Sequence, residues 1–403
     1  MKLNPSLPLL IRAVCVLSLA VLPACSKKVS PLSEQMVHSQ IARCGDATYL
    51  DYTDGRLKWS YGPGMELRAY LDVFETYGDT TVFNFVRKWY DSIVTDDGTI
   101  QSYTPDRYSS DKICPGKPLF YLYDKTGEEK YRKAIEQVKS QIDGQPRTPS
   151  GAFWFKEVYP NQIWLDGVYM VYPFYAEYAA RYLEGEAQAA AFDDIVNGII
   201  VAHDKCLDPA TGLLRHACDE SGKMFWCDPA TRGQSFHCWG RALGYYCLGI
   251  LEVLDWLPEG HDGRRRLTTL LREICNVLPD WADPKSGVWY QVLDQPGREG
   301  NYLEATCSAM FVYTYLKGVR EGYLDASLQP YAKKLYQDFV NAFVTTDEQG
   351  LVSIEQCCSN CGLGGSSNRM GDCAYYLSEP VRPNDAKGVA PFIWASLEME
   401  KIK

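Results

Sequence analysis

The connections between the helical segments of this chain alternate between very short and long, and this alternation limits the possible folds more than any other sequence feature. Apolar residues recur with helical spacing in segments bounded by Gly, Pro, Asn or Asp. Up to the tenth helix, even-numbered helices are followed by links of a few residues and odd-numbered helices by much longer links. We predict twelve helices, at 31–43, 61–78, 80–94, 113–125, 127–142, 162–183, 187–204, 236–257, 262–282, 302–321, 324–343 and 386–401.

A short link joins two helices as antiparallel neighbours, so strict alternation places every long loop at the same end of the assembly. Six such hairpins closed in a ring form an (α/α)6 barrel, which is the fold we predict. The sequence shows no sustained alternation of apolar and polar residues of the kind that a sheet requires, so the predicted class is all-α. An open α-solenoid built from the same hairpins is the alternative.

The N-terminus has the pattern of an export signal. Lys2 and Arg12 precede a short apolar run at 13–22, and a small residue then precedes Cys25. This order resembles a bacterial lipoprotein cleavage box, so we predict that 1–24 is a lipoprotein signal peptide. Lipidated Cys25 would anchor the protein to a membrane, in the periplasm or at the outer membrane of a Gram-negative bacterium. A plain signal peptide, in which the cysteine is incidental, is the alternative.

We predict that the remaining chain forms a single domain preceded by a short N-terminal segment. We predict an N-terminal anchor, linker and first helix over 25–56, and the barrel over 57–403, because no linker divides the later part. The formal net charge of −10 argues against a nucleic-acid partner, which would select for a basic surface. We expect a monomer.

The long-loop end of the predicted barrel gathers carboxylates, a histidine, an arginine and aromatic residues. Functional side chains tend to lie on loops held by a rigid scaffold. Aromatic planes stack on sugar rings, and an arginine can bind a carboxylate through two hydrogen bonds. The combination predicts a site for an acidic carbohydrate. Its candidate residues are Tyr61, Asp111, Trp154, Asp166, His216, Trp226, Trp239, Arg241, Tyr302 and Glu304.

Two carboxyl groups are candidates for acid–base chemistry. Asp166 lies five residues into the predicted helix 162–183 among apolar neighbours, where a carboxyl group can serve as a proton donor. The alternative is a helix cap or an ion pair with a basic residue. Asp111 precedes the fourth helix and taken alone is most simply its N-cap, but it would supply the second carboxyl group on the same rim.

The remaining polar candidates have structural alternatives as well. The start of the eighth helix places Trp239, Arg241 and Tyr245 at the rim, where Arg241 suits an anionic group. That arginine could instead form a structural ion pair, and His216 could be an ordinary loop histidine. The chain lacks the histidine spacings of a zinc site, and the cysteines at 357–373 do not form a standard pair of Cys-x-x-Cys motifs. We predict disulfides or buried thiols there, and no metal.

Seven segments of the chain are modest alone, but their order and spacing together are specific. The segments are Trp59–Gly64, Asp111–Lys117, Pro146–Phe174, Trp239–Tyr245, Asn301–Glu304, Tyr375–Pro380 and Asn384–Gly388. Together they resemble glycoside hydrolase family 105, the unsaturated rhamnogalacturonyl hydrolases, and more distantly family 88. The resemblance covers roughly residues 57 to 400.

The resemblance implies an (α/α)6 barrel that removes a 4,5-unsaturated uronic acid, galacturonyl or glucuronyl, from the non-reducing end of lyase-generated oligosaccharides. The enzyme hydrates the C4–C5 enol ether, and the product opens and expels the next sugar. Asp166 matches the general acid/base, and Asp111 matches a second essential carboxylate. No metal or organic cofactor is implied. The positions that match sugar-binding residues are Tyr61, His216, Trp239, Arg241 and Tyr245.

Two positions depart from the family pattern. Phe155 stands where the family often has His, and Tyr245 stands where it usually has Trp. The first departure removes a polar contact from the sugar pocket, so it indicates a changed substrate or a compensating group such as Lys156. Two alternative functions therefore stay open: an inverting glycosidase that acts on saturated sugars, and a non-catalytic, glycan-binding surface lipoprotein.

Overall fold

The computed structural model describes residues 30–51, 57–231 and 233–402, and thirteen α-helices lie within these ranges. The helices are α1 Leu32–Cys44, α2 Tyr61–Tyr77, α3 Thr80–Asp91, α4 Lys117–Thr126, α5 Glu129–Gly144, α6 Leu165–Tyr182, α7 Gly185–Cys206, α8 Gly240–Trp256, α9 Asp262–Val277, α10 Ala305–Arg320, α11 Gln329–Phe343, α12 Cys373–Ser378 and α13 Ala386–Lys401. Every predicted helix is present. The helix missed by the sequence, α12, spans 6 residues, which is too short to show a period.

The helices form a closed double ring, so the predicted (α/α)6 barrel is confirmed and the open solenoid is excluded. The inner ring consists of α2, α4, α6, α8, α10 and α13, and α13 packs against α2 to close it. Between α2 and α6 the contact is completed by the short turn Cys114–Gly116, which leads into α4. Five outer helices, α3, α5, α7, α9 and α11, each pack on the inner helix that precedes them. The outer helix of the sixth hairpin is α1, which packs on α13.

Three two-stranded antiparallel ribbons, absent from the all-helical prediction, lie in the long links. They are β1 Gln162–Trp164 with β2 Ala217–Asp219, β3 Val344–Thr346 with β4 Val352–Ile354, and β5 Cys357–Cys358 with β6 Val381–Arg382. The prediction of a helix from residue 162 is therefore wrong in its first three residues. Their backbone pairs with a strand more than fifty residues away along the chain, which local periodicity cannot show. As a result α6 begins at Leu165, and Asp166 lies in its first turn.

Glycine allows the closest contacts between elements of the inner ring. A Cβ atom on Gly64 in α2 would lie 2.4 Å from the Cα atom of Pro115, which is backbone and cannot move aside. We expect Gly64→Ala to lower the free energy of unfolding by about 1–3 kcal/mol through overpacking. Urea denaturation of both proteins measures the difference. The matched control is Gly260→Ala, since no atom lies within 4 Å of the added methyl group there. Equal losses for the two variants would contradict the packing argument.

The predicted signal peptide 1–24 and the lipidation site Cys25 lie outside the described residues, so both stay predictions. Among the helices of the described ranges, none combines the length and the apolar character that crossing a bilayer requires.

Candidate active site

A cavity of about 360 Å³ opens at the long-loop end of the barrel. Three of the predicted site residues, Tyr61, Asp111 and Asp166, line it together. The rest of its wall comes from four long links, so its residues are far apart in the sequence. They are Lys58, Ser60, Ser109, Lys112, Phe155, Lys156, Tyr159, Trp164, Asn360, Cys361 and Arg369.

A second cavity, of about 460 Å³, lies at the opposite end, near the short turns. It is larger, but its charged side chains already pair with one another, as in Lys317 with Asp255 at 2.6 Å and Arg68 with Asp72 at 2.9 Å. The long-loop cavity is therefore the better candidate, because its polar groups are less completely paired.

Asp166 faces a buried histidine at the floor of the cavity. Its Oδ2 atom lies 3.3 Å from Nε2 of His216, and neither atom has another hydrogen-bond partner among the described residues. The other ring nitrogen of His216 lies 2.8 Å from the hydroxyl group of Tyr376, which fixes the orientation of the imidazole. The backbone N–H of Leu165 donates to the carbonyl of His216 at 3.1 Å. The start of α6 and the histidine loop are thus held together, which positions the carboxyl group.

Asp111 does not cap a helix. It lies in a single turn of 3₁₀-helix, Ser110–Lys112, and α4 begins only at Lys117. Its carboxylate forms an ion pair of 2.5 Å with Lys156. The structure therefore replaces the N-cap interpretation with a charged pair at the cavity wall, where the carboxylate remains partly exposed.

Phe155, the residue that departs from the family pattern, forms an apolar part of the same wall. Its ring stacks on Trp164 with centroids 4.5 Å apart and planes 15° apart. Tyr159 also stacks on Trp164, with centroids 5.1 Å apart. The ammonium group of Lys156 lies 4.8 Å from the centroid of Phe155. The ammonium group of Lys156 thus lies close to position 155, where the family often has a histidine.

The other predicted sugar-binding residues lie beneath the cavity rather than on its surface. Trp239, Arg241 and Tyr245 are each 1% exposed, and His216 is fully buried. The guanidinium carbon of Arg241 lies 4.5 Å from the ring of Trp239, and this ring in turn packs 4.7 Å from the imidazole. In this arrangement these side chains support the cavity floor.

Several buried polar atoms under the cavity have no hydrogen-bond partner among the described residues. They include Nε of Arg241 and the hydroxyl group of Tyr245, in addition to the Asp166 and His216 atoms. Buried polar atoms are normally satisfied, so their concentration at one place marks a site where a polar ligand can bind. Trp226, by contrast, is fully buried in a small apolar cluster with Phe155 and Trp164, so its ring is not available to stack on a sugar.

Several cavity residues were not predicted from the sequence, and the charged or amide-bearing ones among them are Lys58, Lys112, Asn360 and Arg369. Each lies in a long link without periodicity, so no local pattern distinguishes it from other loop residues. The guanidinium group of Arg369 donates to the carbonyl of Gly364 at 3.0 Å, which holds the glycine-rich loop Gly362–Gly365 at this side of the cavity. That loop therefore acts as a wall.

Comparisons with known proteins agree with the fold and identify the family to which the chain belongs. A family model described as Glycosyl Hydrolase Family 88 matches residues 32–403. A glycoside hydrolase of family 105 from C. acetobutylicum ATCC 824 is 40% identical with a TM-score of 0.88, covering 93% of this chain and 100% of that chain. The 24.9 kDa protein in the picA locus of Rhizobium radiobacter is 34% identical over 195 residues, which are 47% of this chain and 82% of that protein.

A more distant structure has the same fold. The unsaturated glucuronyl hydrolase from Bacillus sp. GL1, responsible for the degradation of glycosaminoglycan, has a TM-score of 0.64 at 12% identity, covering 92% of this chain and 95% of that one. A family match that spans nearly the whole described chain defines this protein as a glycoside hydrolase built on an (α/α)6 barrel. It belongs to Glycosyl Hydrolase Family 88, and the predicted resemblance to family 105 is confirmed by the 40% identity to the clostridial protein.

Proposed function

We propose that this glycoside hydrolase removes a 4,5-unsaturated uronic acid from the non-reducing end of lyase-generated oligosaccharides. The observation that carries the proposal is the placement of Asp166. Its carboxyl group lines the cavity at the first turn of α6, and its Oδ2 atom has no hydrogen-bond partner apart from the close contact with His216 among the described residues. A carboxyl group with one oxygen unengaged can both deliver a proton to a substrate and accept one from water.

In the proposed reaction Asp166 gives its proton to C4 of the enol ether. The resulting carboxylate then accepts a proton from the water that attacks C5, and the hydrated ring opens and releases the next sugar. Asp111 would position the sugar ring and the water from its place in the cavity wall, held by Lys156. The enol ether already carries the electron pair that takes up the proton, so the chain needs only acid–base and positioning groups for this step.

The charges of the cavity explain how an acidic protein could bind an acidic sugar. Four cationic side chains and two carboxyl groups line the cavity, although the whole chain carries a net charge of −10. A local excess of positive charge attracts an anion at short range, where screening by salt is weakest. The cationic residues are Lys58, Lys112, Lys156 and Arg369.

One of these lysines gives the proposed binding step a pH dependence. Burial, together with the nearby charge of Lys58, lowers the pKa of Lys112 to about 8. Lys112 is therefore charged below pH 8 and neutral above it, so binding of an anionic sugar weakens as the pH rises through this value. We expect KM to rise about threefold to tenfold between pH 7 and 9, as for the loss of one charged contact. Steady-state kinetics across this range measures the rise.

The variant Lys112→Met isolates the contribution of this lysine. It should have a higher KM at pH 7 and a smaller rise toward pH 9 than the wild type. The control is Lys285→Met, since Lys285 lies outside the cavity and its removal should leave the profile unchanged. A profile that is the same for wild type and Lys112→Met would show that the lysine does not contact the anion.

A panel of substrates tests the proposed function itself. Unsaturated oligosaccharides made by lyases from pectin, ulvan-like, gellan-like and glycosaminoglycan-like polymers are added separately, and the enol-ether absorbance is followed. We expect at least one substrate to lose this absorbance with turnover. If reducing sugar is instead released from saturated oligosaccharides without any change in absorbance, the protein is an inverting glycosidase. Binding without any product over hours would show a glycan-binding protein.

A further inference from the structure

Two cysteine sulfurs lie side by side at the cavity wall. The Sγ atoms of Cys358 and Cys361 are 3.5 Å apart, and Cys361 lines the cavity. The two residues have the Cys-x-x-Cys spacing that is common in redox-active pairs. The proposed hydration reaction uses neither of them. They are therefore a chemically competent pair, next to the substrate, without an assigned role.

The pair is connected to two residues of the cavity floor. The side-chain amide of Gln291 donates to the Sγ atoms of Cys358 and Cys361, at 3.1 and 3.5 Å. Its oxygen accepts a hydrogen bond of 3.2 Å from the indole of Trp239. The guanidinium group of Arg241 donates to the backbone carbonyl of Cys358. A change in the chemical state of the sulfurs therefore acts directly on the surroundings of Trp239 and Arg241.

The two thiols have different acidities. The hydrogen bond from Cys361 and the positive charge of Arg241, which outweigh burial, lower the pKa of the Cys358 thiol. Burial raises the pKa of Cys361. Cys358 is thus the more acidic thiol of the pair, and the negative charge of its thiolate form offsets the charge of Arg241.

We propose that Cys358 and Cys361 form a thiol oxidation site, at which a small disulfide that enters the cavity closes a bond between them, and that this closure strengthens binding of the anionic sugar. The proposal rests on the proposed function, because its effect is measured on the unsaturated uronide. The sulfurs need to approach each other by about 1.5 Å to reach the length of a disulfide bond.

The reaction proceeds by two thiol–disulfide exchanges. Cys361, the sulfur that lines the cavity, first passes its proton to the neighbouring Cys358 thiolate. The Cys361 thiolate then attacks the small disulfide RSSR and becomes a mixed disulfide, and the first RS⁻ leaves and takes up the proton held by Cys358. The Cys358 thiolate attacks the sulfur of Cys361 and expels the second RS⁻, which takes up from water the proton that Cys358 released when it first ionised. Two protein thiols are oxidised to one disulfide, and RSSR is reduced to two RSH.

Closure removes a negative charge from beside Arg241. A disulfide is neutral, so the guanidinium group is no longer offset by a thiolate and attracts the carboxylate of the substrate more strongly. We expect KM for an unsaturated uronide to be about threefold to tenfold lower in the oxidised protein, as for the gain of one charge-assisted contact, with little change in kcat.

The test compares reduced and oxidised forms of the full chain. The protein is treated with dithiothreitol or with hydroxyethyl disulfide, and mass spectrometry of the peptide that contains both cysteines measures the loss of two hydrogens. KM and kcat are then measured for each form. We expect the lower KM to appear together with the disulfide and to disappear when dithiothreitol is added back. A disulfide that forms without changing KM, or that raises it, overturns the proposal.

Variants assign the effect to this pair. Cys361→Ser and Cys361→Ala should each lose the difference between reduced and oxidised protein, and the use of two variants guards against one that folds poorly. Cys44→Ser, which removes a partly buried cysteine that does not line the cavity, should keep the difference. A difference that survives in both Cys361 variants overturns the proposal. A protein without turnover in either redox state contradicts the proposed function instead, while the mass measurement still reports on the pair.

Discussion

Asp166→Asn should reduce kcat on an unsaturated oligouronide by about 10²- to 10⁴-fold, the range expected for the loss of a general acid–base group. Asparagine has nearly the same size, so the contact with His216 and the shape of the cavity should be retained. An amide cannot donate its proton to C4 or accept one from water. Substrate binding, measured by calorimetry with the same oligosaccharide, should therefore change little.

The matched control is Asp194→Asn. Asp194 forms an ion pair of 2.6 Å with Arg147 and does not line the cavity. The same chemical change there should leave kcat at the wild-type value. If Asp166→Asn keeps wild-type turnover, the assignment of this residue as the acid is wrong. If it loses binding as strongly as turnover, the carboxyl group holds the substrate and another group moves the proton.

Asp111→Asn should have the second-largest effect, a decrease of about 10²-fold in kcat/KM, which is typical when a positioning group is displaced. The Asp111–Lys156 pair is partly exposed, and such pairs contribute little to stability. The melting temperature should therefore move only slightly, whereas activity falls strongly. If the melting temperature and the activity both fell strongly, the ion pair would have a structural role instead.

A double-mutant cycle with Lys156→Met separates two roles of this aspartate. If Asp111 served only to neutralise the lysine, removing both charges would restore activity. We expect the double variant to remain as inactive as Asp111→Asn alone, because the carboxylate itself positions the sugar. Recovery of activity in the double variant would contradict that role. Initial rates from the absorbance assay, with circular dichroism as a check on folding, are sufficient for the cycle.

The barrel could be predicted because it follows from properties that are local in the sequence. Helical periodicity and the alternation of link lengths determine the hairpins, and hairpins of this kind have few ways to close. The start of α6 could not be predicted, since Gln162–Trp164 pairs with a strand from another link. Because these three residues form a strand, α6 begins later than predicted, and Asp166 lies in its first turn rather than in its interior.

The site was only partly predictable for the same reason. Asp111, Asp166 and Tyr61 follow from matched segments, and the structure brings them to one cavity. Trp239 and Arg241 are buried because of the way the loops fold over the cavity floor. The spacing of residues in the sequence does not reveal how the loops fold. Cys358 lies in a strand that pairs with Val381–Arg382, and its carbonyl group contacts Arg241. This contact also depends on the tertiary structure, so it could not be predicted.

Proton NMR in D₂O shows whether the enzyme hydrates the double bond before the sugars separate. An unsaturated disaccharide is followed from the first minutes of the reaction, together with its saturated counterpart. We expect the C4 vinyl proton signal of the uronide to decay at the same rate as the second sugar is released, one solvent deuterium to appear at C4, and the saturated compound not to be cleaved. Release of the second sugar while the vinyl proton remains, or comparable cleavage of the saturated compound, would contradict hydration.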